Sequence, residues 1–171
     1  MLRASIRAAF AAIVMLSSSA AFAHEGHNLG ATKAVGTLEL RGGFARATLP
    51  NAPVGGAFVT ITNNGATPDR LVSVSSPAAD VGQIHDMSME GDVMKMRQLP
   101  DGVVIPAGET VTLEPAGLHI MFMGLKQPFV EGQTVKVTLT FEEAGTVDLD
   151  LPVLGAAADS SMPMDHMDHA K

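Results

Sequence analysis

Two histidines in this sequence are each followed, two positions on, by a methionine: His85-Asp86-Met87 and His119-Ile120-Met121. Side chains alternate between the two faces of a β-strand, so on a strand each such pair shares a face. In the stretch Leu118 to Leu125, LHIMFMGL, His119, Met121 and Met123 then lie on one side, and Leu118, Ile120 and Phe122 on the other. The hydrocarbon side suits a core. Met is flexible and specifies packing poorly, so a purely structural strand would rather use β-branched residues on the second side. Imidazole nitrogen with thioether sulfur suits a soft ion such as Cu(I), whereas harder ions need carboxylates.

The stretch IHDMSMEGDVMKMRQL supplies a second face of the same kind. Alternation groups His85, Met87 and Met89 on one strand, and Met94 and Met96 on the returning strand. With Glu90-Gly91 as the turn, His85 lies opposite Met96 and Met87 opposite Met94. With Gly91-Asp92 as the turn, Met87 pairs with Met96 and His85 faces Gln98. Either two-residue turn keeps imidazole and sulfur on one face.

The rest of the sequence concentrates the same residue types in two further places. His24 and His27 stand near the start, and the final stretch MPMDHMDH contains Met162, Met164, His166, Met167 and His169. These are further candidate metal ligands, densely interleaved in the tail. A free amine at His24 would add a chelating group beside its imidazole.

The first 23 residues combine a basic start, a short apolar run and an Ala21-Phe22-Ala23 end, the three parts of a secretory signal peptide. Cleavage after Ala23 removes Arg3 and Arg7 and takes the net charge from −7 to −9. An acidic surface disfavours nucleic acid and anionic lipid. No cysteine is present, which excludes a blue-copper centre and every cysteine nucleophile, and gives no reason to expect a lipid anchor. Thioether ligands cannot be lost to disulfides after export, so a Met/His site would persist there.

Short Val-, Thr- and Ile-rich segments punctuated by Gly, Pro, Asn and Asp predict strands. They fall near 37–48, 56–62, 70–75, 83–89, 93–99, 110–114, 118–124, 134–142 and 146–153, with turns at Asn63-Asn64-Gly65 and Glu143-Ala144-Gly145. No stretch sustains a helical period. The expected fold is an all-β Greek-key sandwich over 35–154, preceded by a signal peptide (1–23) and a flexible arm (24–34) and followed by a disordered tail (155–171).

His85, Met96 and His119-x-Met121, set in VMKMR and GLHIMFMGL, resemble the periplasmic copper chaperone family often called PCuAC. The family pattern places ten residues between its first His and Met, as here, and twenty-one before His-x-Met, where this chain has one more. The resemblance implies a cupredoxin-like sandwich holding Cu(I) through His85, Met96, His119 and Met121. It also implies delivery of copper toward the copper subunit of a respiratory cytochrome oxidase, beside a thioredoxin-like assembly protein, by a periplasmic monomer that is not an enzyme. A copper or silver buffer with no recipient would use the same ligands. A copper oxidase built on His24 would need a further histidine, and both central histidines are already committed. Met87, Met89, Met94 and Met123 lie outside the four-ligand pattern and are left without an assigned role.

Overall fold

A computed structural model describes residues 29–159, all of whose regular structure is β. The strands are β1 (Lys33–Val35), β2 (Leu38–Arg46), β3 (Val54–Asn63), β4 (Asp69–Ser75), β5 (Ala79–Glu90), β6 (Val93–Gln98), β7 (Val103–Ile105), β8 (Thr110–Leu113), β9 (His119–Leu125), β10 (Thr134–Phe141) and β11 (Gly145–Leu154). The lateral order is β6-β5-β9-β3-β2-β11-β10-β4-β7, with β1 on β2 and β8 on β3. This is the expected sandwich. One layer runs from β6 to β2, the other from β11 to β7, and the end of β11 crosses between them by pairing in parallel with Ala45 and Arg46 of β2.

Alternation explains the core between the layers. Leu38, Leu40, Val59, Ile61, Ile84, Ile120 and Phe122 come from the first layer, and Leu71, Val137, Leu139, Phe141, Leu149 and Leu151 from the second, all buried. On β9 the inward residues are Ile120 and Phe122, both fully buried, so His119, Met121 and Met123 are turned to the opposite, outer face of the first layer. The hydrophobic packing of every other residue therefore sets which way the metal-type residues point.

Two buried polar side chains pin the end of the sandwich where β3 ends and β4 begins. Asn63 donates to the carbonyls of Thr67 and Ile105 and accepts from the Gly65 amide. Asp69 accepts from the amides of Arg70, Glu143 and Ala144, closing the turn that precedes β11. Each satisfies loop amides or carbonyls that would otherwise be buried unpaired.

Three details depart from the sequence reading. The arm expected to be flexible at 24–34 is described from residue 29 onward, where Gly30 donates to the Gly43 carbonyl and Lys33–Val35 pairs with β2. Backbone pairing gains enough from a ready sheet edge to order a polar segment that has no hydrophobic period of its own. Val103–Ile105, too short to show alternation, forms an edge strand on β4. At the other end, residues 155–159 of the expected tail are held, with Ala158 donating to Gly155 and its carbonyl accepting from Arg46. The signal segment, His24, His27 and the tail residues Met162, Met164, His166, Met167 and His169 lie outside the described residues.

Candidate metal centre

The hairpin turn decides between the two registers. Glu90 pairs with Val93, leaving Gly91-Asp92 as the turn, and Gly91 takes φ 64°. A positive φ at the first turn position matches the twist of a two-residue hairpin, and only glycine adopts it without a Cβ clash. A Glu90-Gly91 turn would force Glu90 into that conformation. Met87 therefore faces Met96, Met89 faces Met94, and His85 faces Gln98 across β6.

On its other edge β5 pairs with β9, and there His85 stands directly opposite His119, with Gln83 opposite Met121 and Val81 opposite Met123. The outer face thus carries a ladder of rungs: Met89–Met94 nearest the turn, then Met87–Met96, His85–His119, Gln83–Met121 and Val81–Met123. The imidazole ring centroids are 5.7 Å apart at 59°. A metal–nitrogen bond of about 2 Å puts a ring centroid roughly 3 Å from the ion, so two rings on one ion have centroids within about 6 Å of each other. The pair fits a single shared ion.

Each ring has one nitrogen fixed by the protein. His119 Nδ1 donates to the Gly117 carbonyl at 2.9 Å, which leaves the lone pair on Nε2. His85 Nε2 donates to Gln83 Oε1 at 2.8 Å, which leaves the lone pair on Nδ1. His85 Nδ1 is buried without a hydrogen-bond partner. A buried, unpaired acceptor is normally avoided because its desolvation goes uncompensated. A metal ion would supply the missing partner, while the outer contacts hold tautomer and ring orientation. Burial, and secondarily the nearby His119, lowers the pKa of His85, so the ring is neutral and able to bind metal at neutral pH.

His119 is 6% exposed, Met87 and Met121 are half-buried, and Met96 is 51% exposed. Met87 lies on β5 itself, beside both histidines, whereas Met96 approaches from β6 and must reach across β5 toward His119. Met123 is two rungs from the histidine pair. Among the described residues no three His, Cys, Asp or Glu side chains gather where they could hold a metal. The side chains flanking the pair on this face include the thioethers of Met87, Met96 and Met121.

Two supporting groups were not singled out in the sequence. Gln83, two residues before His85, shares its face by strand alternation and was legible on that ground. The Gly117 carbonyl was not. It accepts both His119 Nδ1 and the Met87 amide, from a turn in which Ala116 takes φ 66°. That conformation costs an alanine about 1 kcal/mol.

The same outer face continues across β3 and β2. Gly56 is opposite Met121, and the Phe58 ring lies over Gly56, where a Cβ would come within 3.3 Å of it. Phe58 packs on Phe44 at 4.9 Å, and Arg46 lies over Phe58 at 5.4 Å while its Nε donates to the Ala158 carbonyl. The root of the Met/His tail is thereby tied to the face that bears the histidine pair.

Residues 38–153 match the family described as "Putative lipoprotein LpqE-like". The chain is 38% identical over 97 residues to "Putative lipoprotein Lxx21020" of Leifsonia xyli subsp. xyli, a match covering 57% of this chain and 58% of that protein. It thus spans little more than half the length of this curated relative. Among solved structures it is similar to the copper-bound PCuAC domain from PmoF2, with 26% identity and TM-score 0.62 over 73% of this chain and 98% of that one. It is also similar to the CuI form of DR1885 from Deinococcus radiodurans, with 30% identity and TM-score 0.56 over 72% and 80% of the two chains. The fold is the cupredoxin-like β-sandwich of PCuAC domains.

Proposed function

The chain belongs to the LpqE-like family, and from that premise we propose that it is a copper-binding protein of the chaperone type. The observation that carries this reading is the facing histidine pair, in which a buried Nδ1 of His85 has no partner and His119 presents Nε2. Cu(I) is held by His85, His119, Met121 and Met96, with Met87 beside them. The copper-bound PmoF2 domain and CuI-DR1885, which share the fold, support copper as the cargo.

All four ligands are neutral. The ion keeps its charge when bound, and release removes no proton from the site. Met96, half exposed on an edge strand, is the ligand that an incoming donor displaces first. His119, buried in the sheet, is the last. Copper therefore leaves by stepwise ligand exchange, without entering water as a free ion. In this reading the protein is not an enzyme.

The recipient is the copper subunit of a respiratory cytochrome oxidase, reached with a thioredoxin-like assembly partner. The tail from Met162 to His169 captures copper, including Cu(II), and the Arg46–Ala158 contact supports a short path from tail to site. Work takes place outside the cytoplasm, in the periplasm. The signal-like first 23 residues and the relative named as a lipoprotein favour export, while these 171 residues hold no cysteine to carry a lipid.

The test is Cu(I) competition titration of the full chain and of a variant combining His119→Ala with Met121→Ala. Loss of the tight site is expected, and unchanged affinity would reject the assignment. Delivery is tested by oxidase activity in a deletion strain at limiting copper. A protein that only buffers copper would leave the oxidase metallated.

A further inference from the structure

The β5–β6 hairpin runs past the histidine pair, and nothing in the copper site above accounts for its end. β9 begins at His119, so residues 86–90 of β5 have β6 as their strand partner, and the Met87 amide reaches back to the Gly117 carbonyl. Every residue of β6 is exposed. On one face of this ribbon stand Met87, Met89, Met94 and Met96, with Met89 59% and Met94 49% exposed. The other face is that of an ordinary solvated hairpin. Ser88 faces Lys95, Asp86 pairs with Arg97 at 3.4 Å, and Lys95 forms an ion pair with Glu90.

No core explains the thioether face. Its side chains are turned away from the side of Ile84 and Ile120, and strand propensity on a wet edge favours Thr or a charged residue over Met. Opposed side chains in such a pair have Cβ atoms about 4.5 to 5.5 Å apart, and successive rungs on one face lie about 7 Å apart. Met side chains are long, flexible and polarizable, so sulfurs from two adjacent rungs can close on one ion. The inner site uses one sulfur of the Met87–Met96 rung. Three remain.

We propose that Met89, Met94 and Met87 form a second site, at the tip of the hairpin, for a soft monovalent cation, Cu(I) or Ag(I), held by thioether sulfur alone. The carboxylates of Asp86 and Glu90 and the hydroxyl of Ser88 project from the opposite face, so the site offers hard cations nothing. It shares a face with the histidine pair and is separated from it only by the Met87–Met96 rung. An ion at the tip is one ligand exchange from the inner site, which makes the tip the place where copper enters and leaves. The thioether site itself stands on the hairpin register, while the choice of Met87 over Met96 and the entry role rest on the copper site proposed above.

The test is a titration with Ag(I) of the full chain carrying His85→Gln and His119→Gln, with isotopically labelled methionine methyls followed by NMR. Single Met→Leu substitutions assign the signals and separate them from those of the tail. The methyls of Met87, Met89 and Met94 are expected to shift together along one saturation curve. Met89→Leu is expected to weaken the binding sensed at Met94 about a hundredfold, the gain a tethered second ligand provides. Methyls that do not move, or that move with separate midpoints, would overturn the site. If the histidine variant does not fold, the wild-type chain with its inner site already filled gives the same readout on further Ag(I). Because the histidines take no part, failure here leaves the copper site above intact, and failure of that site leaves this one standing.

Discussion

The rung of His85 and His119 and the rung of Met89 and Met94 lie on one strand face, yet they are built in opposite ways. At the first, His119 is 6% exposed, each ring is fixed through one nitrogen, and the sheet continues on both sides of β5. At the second, the side chains are half exposed or more, two strands stand without further neighbours, and no hydrogen bond is available to orient a thioether. The difference separates holding from exchange. A pre-oriented, partly desolvated pair of nitrogens gives up little freedom on binding, while mobile sulfurs in water let an incoming ligand attack.

Four experiments bear on that contrast. The largest effect is expected from His85→Ala with His119→Ala, which should weaken Cu(I) binding at the inner site by well over a hundredfold, beyond the range of a supporting-shell change. Met89→Leu should leave the inner affinity within about twofold, as a side chain that is no ligand there. Equal losses from both would mean that the two rungs form one site. Gln83→Ala should cost about ten- to a hundredfold in Cu(I) affinity, because it removes only the group that holds His85 in its Nε2–H tautomer. Nitrogen NMR of the apo protein should then show the proton distributed over both ring nitrogens, a change that a general loss of packing would not produce.

The third is a pH dependence of apo-protein stability. The folded-state pKa of His85 is lowered, so below about 6.5, the usual imidazole value, the unfolded chain binds more protons than the folded one. The stability contributed by neutral His85 is therefore present above that pH and is lost as pH falls toward the folded-state value. Denaturant midpoints should drop between neutral and mildly acidic pH, and His85→Gln should flatten that part of the profile. The smallest effect is at the turn behind His119. Ala116→Gly relieves a left-handed alanine at the expense of a looser unfolded chain, and should change stability by no more than about 1 kcal/mol in thermal denaturation. It should still weaken Cu(I) binding severalfold if the rigidity of the Gly117 carbonyl matters to His119.

Much of the site was legible because strand alternation is a local rule. Once LHIMFMGL is read as a strand, the burial of Ile120 and Phe122 obliges His119 and Met121 to point outward, and the structure has them so. The hairpin was legible up to a choice of two turns, which the positive φ of Gly91 resolves. Less visible were β1 and β7, three residues each, which exist because a neighbouring sheet edge was available. The Gly117 carbonyl was invisible because a backbone acceptor has no residue type to advertise it.

By itself the sequence determined the chemistry of the donors, their grouping by face and the all-β class, since these follow from residue identity and a two-residue period. Only the tertiary structure decided that β9 lies beside β5, with β6, β7 and β8 intervening along the chain, so that His119 meets His85 rung to rung. Such a pairing is selected by the whole core closing at once, and no local pattern encodes it. The same closure buries one nitrogen of His85 without a partner while leaving the methionine hairpin in water.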